Sequence, residues 1–275
     1  MSLYLLNFKM QLKDLKMSMK RIFFEKFWVL IICMVLTTSS AGAFDFSGWD
    51  ALVKKHVGPT TIAGVRLAGV NYPDIKKDPA YSKLITDLKS FSPATLKTPE
   101  EKMSFWINVY NIMAVKMVVD HYPVDSIKDA GSLFGSVWKK NVGVVGGKDV
   151  TLNEIEHEIL RKMADPRIHV AIVCASVSCP DLRNEVYTAD RLDAQLDDQF
   201  KRFLENPRKG LQVNHKNGRV LLSKIFDWFE EDFEPKGGVL PFLSRYVSER
   251  DQLVLKKGNG KISYLDYNWD LNKRN

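Results

Sequence analysis

The chain has 275 residues, of which 45% are hydrophobic and 27% are charged, and it contains 16 Gly, 11 Pro and 3 Cys. These values are close to globular averages and exclude collagen-like, intrinsically disordered and disulfide-dense miniprotein classes. The formal net charge is +7, but residues 1–43 hold six basic and two acidic side chains, so the rest carries only +3. The charge therefore does not support a nucleic-acid-binding domain.

The N-terminal segment is typical of a secretory leader. Several basic residues precede an apolar stretch at residues 27–36, and a small-residue Ala-Gly-Ala site ends at Ala43. A basic region, a short apolar region and such a site together define a signal peptide. The apolar stretch is shorter than the ~18 residues that a membrane-spanning helix needs. We predict a cleaved signal peptide over residues 1–43 and a periplasmic or secreted protein with no membrane span after cleavage.

The mature chain, residues 44–275, is predicted to begin with helices. A short helix is expected from Ser47, whereas residues 59–79 are expected to be irregular. The strongest helix signal is Thr98-Pro99-Glu100-Glu101, which combines an N-cap, a proline in the first turn and a capping-box glutamate. Apolar side chains occupy almost every face of this helix up to Pro123. We therefore predict a buried central helix.

The second half of the chain mixes predicted strands and helices. Hairpins are indicated at 142–152, around Gly-Gly, and at 211–222, around Asn-Gly. Residues 169–174 form a continuous run of β-formers and predict a buried strand. Further helices are predicted at 155–163, 188–204, 223–233 and 240–247, and a last strand at 261–267. Because βαβ alternation is absent, we predict a single compact α+β domain with hairpins and a mixed or antiparallel sheet.

The segment from His169 to Arg183 is the most informative part of the sequence. The predicted strand runs into a loop that holds Cys174, Cys179 and several serines, and such loops often carry reactive groups. In a catalytic interpretation, Cys179 is the nucleophile and Arg183 binds an anionic group of the substrate. Alternatively, the two cysteines form a disulfide with a structural role. A redox site is the third option, although the spacing is not C-x-x-C.

Two histidines and two asparagines are candidate partners of the cysteine. His157 is flanked by glutamates in a predicted helix, and His169 begins the predicted strand. In the catalytic interpretation, one of these histidines shuttles a proton, Asn108 orients it and Asn111 contacts the substrate. In the structural interpretation, the histidines are a solvated helix residue and a core residue, and the asparagines bond to backbone. No zinc, phosphate-loop or dinucleotide signature is present, so no metal or cofactor is predicted.

Five stretches of the mature chain carry a family resemblance, at residues 105–111, 155–161, 169–183, 222–233 and 264–272. With these stretches, the sequence resembles the bacterial exported branch of the DUF547 family, a domain of unknown function. One departure is Asp181, where the family usually has a second proline. The resemblance implies no activity, but it implies that several candidates fall inside family motifs, namely Asn108, His157, His169, Cys179 and Arg183.

Two functional hypotheses from different classes follow. The first is an exported cysteine-dependent hydrolase or acyl-transferase that acts on an amide or ester, loosely similar to papain and transglutaminase enzymes. Both histidines precede the cysteine, which reverses papain's order and requires a permuted arrangement or a different fold. The second is a non-catalytic periplasmic binding or scaffold domain with a Cys174–Cys179 disulfide. The expected partner is a small-molecule or peptide ligand, and no nucleic acid is expected.

Overall fold

The structure is a computed structural model that describes residues 43–131, 136–257 and 262–274. The predicted leader lies outside these ranges except for Ala43. From Phe44 onward the chain forms one compact unit. Within the described ranges, no helix combines the length and apolarity that crossing a membrane would require.

Helices dominate the described chain, and most of them are short. The α-helices are α1 (Ser47–His56), α2 (Tyr72–Lys77), α3 (Pro79–Ser90), α4 (Pro99–His121), α5 (Ile168–Ala171), α6 (Leu192–Glu205), α7 (Ile225–Trp228), α8 (Glu230–Phe233), α9 (Val239–Leu243) and α10 (Glu249–Lys257). A π-helix covers Glu154–Leu160. Short 3₁₀ turns lie at Pro93–Thr95, Ile127–Ala130, Val137–Lys139, Arg161–Met163 and Glu234–Lys236.

The strands form small separate sheets. They are β1 (Val57–Ile62), β2 (Val65–Val70), β3 (Asn141–Val145), β4 (Lys148–Thr151), β5 (Leu211–Asn214), β6 (Arg219–Leu222) and β7 (Ile262–Tyr264). The pairs β1–β2, β3–β4 and β5–β6 are antiparallel hairpins, and β7 pairs parallel with β6. The third sheet is therefore mixed, and the predicted α+β class with hairpins is confirmed.

Helix α4 is the buried centre of the domain, as predicted. The Thr98 hydroxyl accepts from the backbone N–H of Glu101 at 3.1 Å, and the Glu101 carboxylate accepts from the Thr98 N–H at 3.2 Å. This reciprocal capping box fixes the start of the helix. Nearly every side chain from Met103 to Val119 is buried. A 23-residue helix with this burial acts as the scaffold on which the other elements pack.

Two predictions about local structure are wrong. Residues 59–79 are not irregular, because they contain most of the β1–β2 hairpin and α2; Ala63 and Gly64 form its turn with positive φ values of 49° and 76°. Residues 169–174 do not form a strand, because Ile168–Ala171 is a helical turn. A short run of residues that is apolar throughout shows no alternation of apolar and polar positions. The sequence pattern therefore does not distinguish a helix from a strand there.

Helix α5 and helix α6 each join two hydrophobic cores. Val170 packs in a core with Phe200, whereas Ile168 and Ala171 pack in the core around α4. On α6, Leu196 belongs to the α4 core and Phe200 to the other. The segment that leads to Cys174 is therefore anchored where the two cores meet.

One stability prediction concerns Ala164, an exposed residue that ends the turn Arg161–Met163 in the left-handed conformation, with φ of 56°. Glycine avoids the Cβ clash of this conformation, so we expect Ala164→Gly to stabilise the protein by up to ~1 kcal/mol. The matched control is Ala51→Gly on the exposed face of α1, which should cost about 1 kcal/mol. Urea unfolding measures both. Destabilisation by both substitutions would contradict the prediction.

Candidate functional site

A cavity of about 410 Å³, here called the thiol cavity, brings together groups that could perform chemistry. Its polar lining consists of Tyr110, Lys128, Ser136, Asn153, Glu156, His157, His169, Cys174, Cys179 and Tyr267. Its apolar lining consists of Trp138, Ile172, Ile225, Trp228, Phe229 and Trp269. Three of the six predicted site residues therefore share one cavity, together with the second cysteine.

Cys174 and Cys179 are both free thiols, and they occupy different environments. Cys174 is half-buried, and its sulfur lies 3.1 Å from the Tyr267 hydroxyl and 3.2 Å from the Ser176 hydroxyl. Cys179 is 3% exposed, and its sulfur accepts the backbone N–H of Cys174 at 2.8 Å. The two thiols are thus neighbours, with Cys174 the more accessible one.

The two environments move the thiol pKa values in opposite directions. Burial raises the pKa of Cys174, but hydrogen bonds from Cys179, Ser176 and Tyr267 outweigh it and lower the pKa below the ordinary cysteine value. Burial raises the pKa of Cys179, and the neighbouring Cys174 raises it further. Burial and the nearby thiols also raise the pKa of Tyr267. Its hydroxyl therefore stays protonated and can donate a hydrogen bond to a thiolate. Cys174 is the thiol that ionises first.

The backbone directly after Cys174 is strained. Ala175 has φ of 56°, in the left-handed region that residues with a Cβ rarely adopt, and it is 1% exposed. Its carbonyl accepts from the N–H of Asn272 at 3.1 Å, and the Val177 N–H donates to Asp270 at 2.9 Å. Strain of this kind persists only where surrounding contacts enforce it, and it clusters at functional sites. The C-terminal segment supplies those contacts here.

His169 belongs to a histidine–carboxylate pair. Its Nε2 lies 2.7 Å from Asp232, its ring stacks on Phe229 with centroids 4.0 Å apart, and the residue is 3% exposed. Nδ1 has no hydrogen-bond partner among the described residues. Burial lowers the pKa of His169, and Asp232 opposes this only in part. The imidazole is therefore neutral at neutral pH, and its Nδ1 is a buried acceptor without a hydrogen-bond partner.

His157 is held by a different contact. Arg161 donates to its Nδ1 at 2.9 Å, and the same guanidinium donates to Asp232 at 2.7 and 2.8 Å. Burial lowers the pKa of His157, and the Arg161 charge lowers it further. No hydrogen bond joins either histidine to Cys174 within the described ranges. His157 thus lies at the cavity wall, and Arg161 occupies the nitrogen that would act as a base.

Glu156 is a buried carboxyl group in the same cavity that was not among the predicted site residues. It lies on the π-helix Glu154–Leu160, is 6% exposed, and accepts from the Tyr110 hydroxyl at 3.1 Å. Burial raises its pKa to about 7, and the proximity of Cys174 adds to the shift. π-Helical turns are rare and occur frequently at functional sites. A carboxyl group with this pKa can both donate and accept a proton near neutral pH.

The two asparagines of α4 bond to backbone. Asn108 pairs with Tyr187, donating to its carbonyl at 2.8 Å and accepting from its N–H at 3.0 Å. Asn111 donates to the Ala171 carbonyl at 3.0 Å and accepts from the Val173 N–H at 2.9 Å. Within the described ranges neither asparagine hydrogen-bonds to a histidine, and neither lines the thiol cavity. Asn111 instead fixes the backbone one residue before Cys174.

Arg183 lies apart from the thiol cavity. Its side chain is 8% exposed and forms ion pairs with Glu185 and with Asp198, the latter at 2.6 Å. It lines a second cavity, also of about 410 Å³, that includes Asp181 and Lys209. Two carboxylates therefore compensate its charge, and it does not reach the cysteines. The geometry gives no support to its predicted role as the anion-binding group of the cysteine site.

The aromatic residues that line the thiol cavity contact one another, and they are here called the aromatic wall. Trp228 stacks on Trp269 with centroids 5.8 Å apart and an interplanar angle of 20°, and Tyr267 lies 4.6 Å from Trp269. Trp138 meets Trp269 edge-on at 5.5 Å. The Lys128 ammonium lies 3.7 Å from the centre of the Trp269 ring. Ring faces of this kind can pack against planar or apolar groups, and 45% of Trp228 is exposed.

Several functional residues were not predicted because their partners are distant in sequence. Asp232 lies 63 positions after His169, and Tyr267 lies 93 positions after Cys174. Glu156 could have been proposed as a candidate because it adjoins His157 in a predicted helix. In the described part of the chain, no three His, Cys, Asp or Glu side chains are placed to hold a metal ion.

One family model matches part of the chain. Residues 93–204 match the family model DUF547, described as a protein of unknown function. Over these residues the chain is similar to that family. The match runs from before α4 to near the end of α6, so it includes both cysteines and both histidines of the thiol cavity, whereas Asp232 and Tyr267 lie beyond it. No curated protein sequence and no solved structure gives a significant match.

The asparagine contacts predict different effects of two matched substitutions. Asn111→Ala and Asn108→Ala each remove two buried hydrogen bonds, and each orphaned backbone group should cost about 1–3 kcal/mol. Only Asn111→Ala should also slow iodoacetamide labelling of Cys174, because Asn111 holds the adjacent backbone. Urea unfolding and peptide mass spectrometry measure the two effects. Equal labelling in both variants would contradict the assignment.

The raised pKa of Glu156 predicts a pH dependence of stability. The folded protein keeps this proton up to about pH 7, whereas the unfolded chain loses it near the ordinary value of 4.5. Stability should therefore fall by roughly 3 kcal/mol as pH rises through that interval, and Glu156→Gln should lack this component. Urea unfolding of both proteins between pH 4.5 and about pH 7 measures the contribution of Glu156 as the difference between their losses of unfolding free energy. The same pH dependence in both proteins would be the contrary result.

Proposed function

We propose that the domain is a cysteine-dependent hydrolase or acyl-transferase that acts on an amide or ester, with Cys174 as the nucleophile. The observation that carries this proposal is the thiol cavity. It holds a free thiol with a lowered pKa, a carboxyl group with a pKa of about 7, and a histidine–carboxylate pair with one buried, unpartnered nitrogen. These are the groups that acyl transfer through a thioester requires.

The choice of Cys174 over Cys179 rests on access and hydrogen bonding. The sequence favoured Cys179 because it follows the predicted strand. In the fold, Cys179 is buried and its sulfur is occupied by the Cys174 N–H, whereas Cys174 contacts two hydroxyl groups that can stabilise a thiolate. The thiolate is the reactive form of cysteine. With its pKa lowered to about 7, a large fraction of Cys174 is therefore thiolate near neutral pH.

Glu156 and His169 are proposed to move the remaining protons. In the first half-reaction, the thiolate attacks the carbonyl carbon and protonated Glu156 gives its proton to the departing amine or alcohol. In the second, a water or acceptor alcohol that enters beside the buried Nδ1 of His169 gives its proton to that nitrogen and attacks the thioester; the Cys174 thiolate leaves, and the proton returns from His169 to Glu156. The Nε2–H bond to Asp232 fixes the tautomer that leaves Nδ1 free. This division of roles fits a raised carboxyl pKa and a lowered imidazole pKa.

The aromatic wall supports a planar or apolar group next to the scissile bond. Trp228, Trp269 and Tyr267 offer ring faces, and the Lys128 ammonium adds one positive charge beside them. The same surface would serve the second candidate, a binding domain without catalysis. The two candidates differ in one respect, because only the enzyme forms a covalent intermediate on Cys174.

A chromogenic ester tests the enzyme proposal. We expect p-nitrophenyl acetate to release nitrophenolate in a burst and to leave one acetyl group on Cys174 of the reduced full chain. Cys174→Ser should abolish the burst, and Cys179→Ser, the matched control, should retain it. His169→Gln should slow loss of the acetyl group more than its formation. Peptide mass spectrometry locates the acetyl group; acetylation of both cysteines at equal rates would contradict the proposal.

We further propose that the protein is exported and cleaved after Ala43. The support is the basic region, apolar stretch and Ala-Gly-Ala site of residues 1–43. Intact-mass analysis of the protein recovered from the culture or periplasm should give a chain that begins at Phe44. A recovered chain that keeps residues 27–36 would show an anchor instead.

A further inference from the structure

We propose that Cys174 is also a site of reversible oxidation by hydroperoxides, and that Cys179 is its resolving thiol. The proposal does not depend on the acyl-transfer reaction. It rests on two free thiols that are neighbours in one cavity, with one sulfur accepting the backbone N–H of the other residue at 2.8 Å. A nucleophile and a second thiol within reach are the requirements for trapping an oxidised cysteine as a disulfide.

The two cysteines are asymmetric in the way that this chemistry needs. Cys174 is half-buried and contacts the hydroxyls of Ser176 and Tyr267, so an oxidant that enters the cavity meets its thiolate first. Cys179 is 3% exposed, which shields it from direct attack. The lowered pKa of Cys174 and the raised pKa of Cys179 act in the same direction.

The chemistry proceeds in two balanced steps. The Cys174 thiolate attacks one oxygen of the hydroperoxide; an S–O bond forms, the O–O bond breaks, and the departing oxygen takes a proton and leaves as water or an alcohol. The Cys179 sulfur then attacks the Cys174 sulfur; an S–S bond forms, the S–O bond breaks, and the Cys179 proton leaves with the hydroxyl group as water. The two thiols supply the two electrons that reduce the peroxide.

The loop between the cysteines favours closure. The Cys179 N–H donates to the Ser176 carbonyl at 3.2 Å, and contacts to the C-terminal segment hold Ala175 and Val177. Because these bonds limit how far the two sulfurs can separate, the second thiol is already placed when the first is oxidised. The disulfide would remove the nucleophile from the cavity until a thiol reductant restores it.

The test oxidises the reduced full chain with hydrogen peroxide and compares wild type with Cys179→Ala. Iodoacetamide blocks remaining thiols, and peptide mass spectrometry reports each cysteine separately, which also distinguishes Cys33. In wild type we expect a Cys174–Cys179 disulfide that dithiothreitol reverses completely. In Cys179→Ala, Cys174 should proceed to sulfinic or sulfonic acid, and dithiothreitol should not recover it.

A second measurement keeps the test independent of the folding of the variant. Dimedone, which traps sulfenic acid, should label Cys174 of wild type only when added before the disulfide forms, and should label Cys179 little. Sulfinic acid at Cys174 of wild type without any disulfide would overturn the proposal, as would no oxidation of Cys174. Acetylation of Cys174 by p-nitrophenyl acetate after reduction is unaffected by either result, so the two proposals fail separately.

Discussion

Two hydrogen bonds from Asn111 tie the cysteine segment to the centre of the protein. Helix α4 is buried on nearly all sides, and an asparagine within it must find partners. Asn111 finds them at Ala171 and Val173, immediately before Cys174. The position of Cys174, the proposed nucleophile, is therefore set by the buried 23-residue helix α4, through the backbone that precedes this cysteine.

The same helix organises the rest of the site. Asn108 hydrogen-bonds to the backbone of Tyr187, which follows the cysteine loop in sequence, and the Tyr110 hydroxyl donates to Glu156 on the π-helix. Three polar side chains within one turn of α4 thus hydrogen-bond to the segment before Cys174, to the backbone of Tyr187 and to the buried carboxyl group of Glu156. Beyond the helix, the C-terminal segment closes the loop through Tyr267, and Asp232 orients His169. The site is assembled from parts of the chain that are far apart in sequence.

The sequence revealed those features that depend on local rules. The capping box of Thr98 and Glu101 predicted the start of α4, and Asn-Gly predicted the β5–β6 hairpin, because both signals act over a few residues. Residues 169–174 were assigned to a strand because burial on all sides erases periodicity. The compensation of the Arg183 charge by two carboxylates was also not predicted. Glu185 is a neighbour in sequence, but Asp198 reaches Arg183 only because of how α6 packs in the fold.

The partial success at the site has the same origin. Cys174, Cys179, His157 and His169 were recognised as reactive residue types, and the fold places all four in one cavity. Which cysteine is reactive depends on burial and on Tyr267, 93 residues away, and neither is encoded in the spacing. Asn108 and Asn111 were candidates for orienting a histidine and for contacting the substrate, with hydrogen bonds to backbone as the structural alternative. Their hydrogen bonds in the fold are to backbone.

We propose that Cys174 is the activated thiol. The most direct measurement is the rate of iodoacetamide alkylation at Cys174 and at Cys179 of the reduced protein across a pH series, read peptide by peptide. We expect Cys174 to react faster, with a rate that rises with a midpoint below the ~8.5 of an ordinary cysteine, while Cys179 stays slow. Faster labelling of Cys179, or equal slow labelling of both, would contradict it.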